Sequence, residues 1–188
     1  MSAAKAGGKA LVVMKGPEAV FGATYPGPGK LAVVGQGGAR ISSGAGIGLQ
    51  VSGGDLYARG LTISGGTKQG ISISSNAKLQ LESSRIQNNE GGGVLVDGGT
   101  LVLTNSTISG NGPGDLAGIL WGGIRLTNPT AATRLDRVSV LNNNAPGISC
   151  SGAVQGTGVL ATGNSTANVS MSCGFTSCAT ASATCGAP

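Results

Sequence analysis

Residues 70–112 read GISISSNAKLQLESSRIQNNEGGGVLVDGGTLVLTNSTISGNG, and the second half of this stretch restates the first. GISI at Gly70 aligns with GVLV at Gly93, and LQLESSRI from Leu79 aligns with LVLTNSTI from Leu101. The same unit recurs as GLQV at Gly48, followed by LYARGLTI from Leu56, as GIRL at Gly123, followed by TRLDRVSV from Thr133, and as GISC at Gly147. The steps between the glycines are 22, 23, 30 and 24 residues, so one repeat carries an inserted loop. A fixed period of this length is the mark of a repeat architecture and outranks any local motif.

Within the unit, apolar residues fall into columns. Leu49, Ile71, Val94, Ile124 and Ile148 form one, and Val51, Ile73, Val96, Leu126 and Cys150 form the next, two residues on. Side chains on a strand alternate faces, so both columns point inward while Gln50, Ser72, Leu95, Arg125 and Ser149 point outward. Ala58, Leu81, Leu103 and Leu135 make a third inward column, and Ile63, Ile86, Ile108 and Val140 a fourth. No stretch after Lys30 keeps a 3.6-residue apolar stripe, because glycine and asparagine interrupt each one. An antiparallel sandwich does not require equivalent residues to recur at one coil length. A parallel β-helix does, since each coil lays its strands on the previous one at about 4.8 Å. The 36 glycines suit its turns, and a narrow interior needs few aromatic residues. Asn89, Asn111 and Asn143 share one corner position, where a ladder of side-chain amides with left-handed backbone is expected.

GLTISGG from Gly60, STISGNG from Ser106 and VSVLNNNAPGI from Val138 resemble the repeats of bacterial right-handed parallel β-helix proteins, over about three quarters of the chain. The resemblance implies an all-β, right-handed β-solenoid with coils of about 22–24 residues. It also implies a secreted or cell-surface setting, with carbohydrate as a frequent substrate or ligand. Pectate lyases, polygalacturonases, phage tailspikes and purely structural surface proteins share that fold, so the resemblance does not assign an activity.

The expected organisation is a β-helix over residues 1–172, with irregular N-terminal coils, and a C-terminal cap over residues 173–188. Cys150 and Cys173 are 23 residues apart, one coil, which places their Cα atoms within disulfide reach. Cys178 and Cys185 then close a short terminal loop. A zinc site is disfavoured, for the chain has no histidine and no CxxC pair. Disulfides favour export. The start, MSAAKAGGKALVVMKG, lacks the apolar run of a secretory signal, which suggests a fragment of a longer exported protein. No run is long enough for a membrane span. At the N-terminus ALVVM from Ala10 and LAVV from Leu31 read as first-coil strands, with a single helical turn at PEAVF from Pro17. The open edge there is expected to meet a neighbouring domain or a second copy.

Chemistry is sparse. Asp55, Asp97, Asp115 and Asp136 fall at different repeat positions, and only Glu82 and Asp136 share one, about 9–10 Å apart with Thr104 between. With Arg59 one coil below Glu82, that column reads as a surface ion-pair ladder. No catalytic residue, metal or cofactor is assigned. The candidate ligand contacts lie around the 30-residue coil: Trp121, the only tryptophan, with Asp115 in the inserted loop and Arg125 and Arg134 nearby in repeat register. An indole stacks on sugar rings and a carboxylate accepts from hydroxyls, although Trp121 equally suits packing the loop down. The net charge of +5 comes from 12 basic residues that look dispersed, with no aromatic pattern for nucleic acid. An anionic polysaccharide or cell-envelope component is the expected partner. The sequence therefore favours a non-catalytic, structural, adhesive or carbohydrate-binding solenoid, with a polysaccharide lyase or glycoside hydrolase fragment as the alternative.

Overall fold

The computed structural model describes residues 3–6, 9–17, 19–74, 76–116, 118–169 and 173. Among them there is no helix, and three sheets wind around one shaft. In each coil a strand of a six-stranded sheet, such as Ile71–Ile73, leads to one of an eight-stranded sheet, Ala77–Glu82, and then to one of a seven-stranded sheet, Arg85–Gln87. Every rung between coils is parallel.

The register follows the sequence repeat residue by residue. Ile71 pairs with Leu49 below and Val94 above, Leu81 lies between Ala58 and Leu103, and Ile86 lies between Ile63 and Ile108. All these side chains are buried in one continuous core. Burying each large aliphatic residue contributes about 1.5–3 kcal/mol, which holds the coils in register because a one-residue slip turns a strand's apolar set outward.

The asparagine corner is a relay. Asn89 Nδ2 donates to Asn111 Oδ1 at 2.9 Å, Asn111 Nδ2 to Asn143 Oδ1 at 3.0 Å, and Asn143 Nδ2 to Asn164 Oδ1 at 2.7 Å. Each Oδ1 also accepts the backbone N–H of the asparagine one coil below, at 3.0–3.1 Å. The ladder residues do not carry the expected left-handed backbone. The residue before each does: Asn88, Gly110, Asn142 and Gly163 have φ between 51° and 67°. The turn is therefore made one position earlier, and the ladder asparagine is left free to point into the coil.

The first coils are strands, as ALVVM and LAVV suggested: Lys9–Lys15 pairs with Lys30–Gln36, and that strand with Gly54–Arg59. PEAVF does not form a helical turn. Ala19–Phe21 is extended and pairs with the strand beginning at Arg40, because a parallel partner lies directly above it. An antiparallel strand, Ala3–Ala6, lies along Lys9–Lys15. At this end the shaft opens into an apolar cavity of about 160 Å³ that includes Val12, Met14, Val20, Leu31 and Ile41. At the other end Cys150 and Cys173 form a disulfide with Cα atoms 4.8 Å apart, the one-coil staple expected from their spacing. Cys178, Cys185 and the rest of the expected cap after Cys173 lie outside the described residues.

Candidate functional site

The outward side chains of the eight-stranded sheet form ribs along the axis. One column runs Lys30, Asp55, Lys78, Thr100, with Lys9 at the next register position below. The next runs Ala32, Tyr57, Gln80, Val102, Arg134, Gln155, and a third runs Val34, Arg59, Glu82, Thr104, Asp136, Thr157. Six of the twelve basic residues, Lys9, Lys15, Lys30, Arg59, Lys78 and Arg134, take outward register positions on this sheet, against three of the seven acidic ones. That surplus of three compares with +5 for the whole chain. The dispersal seen along the sequence is thus corrected by the coiling, which returns distant lysines and arginines to one face.

Short contacts order this face. Lys30 Nζ stands 3.9 Å from Asp55, and Arg134 is 2.6 Å from Asp136. Tyr57 Oη donates to Glu82 Oε2 at 2.8 Å. Glu82 is thus held by the phenol, where the sequence suggested a ladder with Arg59. Burial, followed by the hydrogen bond and the charge of Glu82, pushes the Tyr57 phenol above its ordinary pKa, so it stays a neutral donor at physiological pH. A recess of about 330 Å³ lies beside the ring, bounded by Lys30, Ala32, Asp55, Lys78 and Gln80. It exists because Ala32, one coil below Tyr57, has no bulk to fill it.

The four candidate residues named from the sequence occupy three separate places. Arg134 is exposed on the cationic face. Arg125 is on the six-stranded sheet, between Leu95 and Ser149, and only 8% exposed. Asp115 and Trp121 are in the inserted segment, which folds as a hairpin of Gly114–Leu116 and Ile119–Trp121. Asp115 is exposed and accepts the Gly118 N–H at 2.8 Å. Trp121 is wholly buried, its indole packed between Gly92 and Gly114. Both positions require glycine, since a Cβ there would run into the ring. In this arrangement the tryptophan seats the hairpin and presents no face to a ligand.

Seating the hairpin creates a second recess, an open groove of about 720 Å³ along the coil corner. Thr67, Lys68, Gln69, Glu90 and Asp115 line it, with glycine and proline of the loop as its upper wall. That Glu90 and Asp115 share a groove was not legible in the repeat, because the inserted residues displace Asp115 from the common repeat position. Tyr57, Lys30 and Lys78 were likewise missed. Their signal, a column one residue outside the apolar set, becomes visible only when the irregular first coil is placed in register.

A family model described as right handed beta helix region matches residues 39–185, more than three quarters of the chain. The chain belongs to the right-handed β-helix family. No curated protein and no solved structure matched it. Membership fixes the hand of this β-helix, and the cationic face, the hairpin groove and the buried Arg125 are features of its own residues. Among the described residues no helix is long and apolar enough to cross a membrane, and no cluster of three or more Asp, Glu, His or Cys residues is poised to hold a metal ion.

Proposed function

We propose that this β-helix is a non-catalytic carbohydrate-binding or adhesive solenoid of an exported protein, and that its eight-stranded face takes an anionic polysaccharide. The observation that carries this reading is the surplus of three basic over acidic residues at the outward positions of one sheet. A polyanion laid along the axis meets Lys30 and Lys78 two coils apart, about 10 Å, and Arg134 further on. The half-buried ring of Tyr57 offers a surface for a sugar, and its hydrogen bond to Glu82 fixes the ring's tilt. Asp115, in the hairpin groove, is a second contact for sugar hydroxyls, with Trp121 acting beneath it as the anchor of the hairpin. The disulfide supports an oxidising, extracellular setting. The three exposed apolar residues of the first coils, Leu11, Val13 and Phe21, support a neighbouring domain or second copy at that end.

The test is retention on immobilised polygalacturonate against a neutral glucan. Wild type is expected to be retained on the acidic matrix and to elute with salt, as exposed charges are screened within about 8–10 Å at 0.1–0.15 M. The triple variant Lys30→Glu, Lys78→Glu, Arg134→Glu is expected to pass through. Equal retention of that variant, or retention unaffected by salt, defeats the reading. The alternative, glycan cleavage, is favoured by one observation, the shared groove of Glu90 and Asp115 with Lys68. Product formation that disappears in both Glu90→Gln and Asp115→Asn would establish it instead.

A further inference from the structure

The outer face of the six-stranded sheet holds an ionic group with an incomplete set of partners. Arg125 points away from the core, yet it is only 8% exposed, with Leu95 below at 8% and Ser149 above at 4%. Its Nη1 donates to Ser149 Oγ at 2.5 Å, which fixes the plane of the guanidinium. Its Nε–H is buried and has no acceptor. Two residues along the same strand, and therefore on the same face, Thr127 Oγ1 is also buried without a partner. No carboxylate lies within ion-pair distance of Arg125 among the described residues.

A guanidinium removed from water without a counter-ion is costly, and an unmade hydrogen bond at a buried hydroxyl adds to that cost. Two such donors on one face specify their complement. We propose that Arg125 and Thr127 form a binding site for a single carboxylate group, one oxygen accepting from Arg125 Nε–H and the other from the Thr127 hydroxyl, with Leu95 as its apolar floor. Ser149 takes one of the Nη1 N–H groups, and the flat guanidinium edge at Nε matches a planar carboxylate. This site is on a different sheet from the cationic face and does not depend on the polysaccharide reading.

The experiment is a titration of the intact chain with sodium acetate and with sodium galacturonate at constant ionic strength, sodium chloride making up the balance. Two readouts are followed: the thermal midpoint, and the NMR signal of the Arg125 Nε–H in wild type. Both carboxylates are expected to raise the midpoint saturably, as any ligand that binds only the folded state does, and to shift the Nε–H signal. Arg125→Gln is expected to weaken binding at least tenfold and Thr127→Val several-fold, while Arg85→Gln, on the exposed side of the seven-stranded sheet, leaves it unchanged. A response to galacturonate alone still supports the site and assigns it to a uronate. A response shared by chloride, or one retained in Arg125→Gln, overturns the proposal. Should Arg125→Gln fail to fold, the wild-type signal decides: a Nε–H resonance that does not move at saturating acetate and galacturonate overturns it as well.

Discussion

Asn111→Ala tests the physical basis of the coil. The Asn111 amide makes five hydrogen bonds inside the corner. Nδ2 donates to Asn143 Oδ1, Ile86 O and Ser109 O at 3.0–3.1 Å, and Oδ1 accepts from Asn89 N at 3.1 Å and Asn89 Nδ2 at 2.9 Å. Truncation does not orphan all of these groups. Asn89 Nδ2 keeps Gln87 O, Asn143 Oδ1 keeps the Asn111 N–H, and Ser109 O keeps the Asn88 N–H. The buried Asn89 N–H, however, loses the acceptor it has in Asn111. That orphan costs about 1–3 kcal/mol, and the other lost bonds and the small void add about 1–2 kcal/mol. A destabilisation of about 3–4 kcal/mol is therefore expected, a large part of the 5–15 kcal/mol typical of a domain. Asn111→Asp should be worse at neutral pH, since a carboxylate would face the Ile86 and Ser109 carbonyls and Asn143 Oδ1 with no proton to give. Asn164→Ala, in the half-buried last coil of the ladder below Asn168, should cost less. Urea unfolding followed by far-UV circular dichroism measures all three. Asn111→Ala within 1 kcal/mol of wild type, or Asn164→Ala at least as harmful, would refute the ladder as a source of stability.

Reducing the Cys150–Cys173 bond should lower stability by about 3 kcal/mol, the loop-closure value for its 23-residue separation, and a thermal midpoint unchanged by dithiothreitol would contradict this. Trp121 should emit at short wavelength and resist acrylamide quenching. Gly114→Ala, whose added Cβ would meet the Gly91 carbonyl oxygen and the indole, should shift the emission to the red by lifting the hairpin, and an unshifted spectrum would contradict that packing. Phenolate absorbance in Tyr25→Phe, which leaves Tyr57 as the only tyrosine, should show titration above the ordinary tyrosine value of about 10. Because the folded-state pKa is the raised one, the stabilisation from the neutral phenol is complete below pH 10 and is lost as pH climbs through the folded value. Glu82→Gln should bring the titration downward, and a phenol that ignores that change would count against the hydrogen bond.

Most of the fold was legible in the residues. The columns led by Leu49, Val51, Ala58 and Ile63 predicted the pairing of each later strand, and the spacing of Cys150 and Cys173 predicted their bond, since both follow from stacking equivalent positions. The candidate site was less legible. Arg125 and Arg134 are nine residues apart, but the intervening turn carries the chain from one sheet to another, so they face different directions. Trp121 and Asp115 share a hairpin and yet differ completely in exposure, because the indole fills the space over Gly92 and the carboxylate projects beyond it.

The inward half of this protein is written in its residues. A narrow shaft admits one kind of side chain at one position per coil, so apolar identity repeats with the period and can be read without coordinates. The outward half takes its character from the way the coils come together. Whether an outward side chain is wet or covered, and which distant charges share its sheet, depends on how neighbouring coils and the hairpin are placed, and that placement leaves no periodic trace. The burial of Arg125 and the collection of lysines beside Tyr57 belong to this second kind.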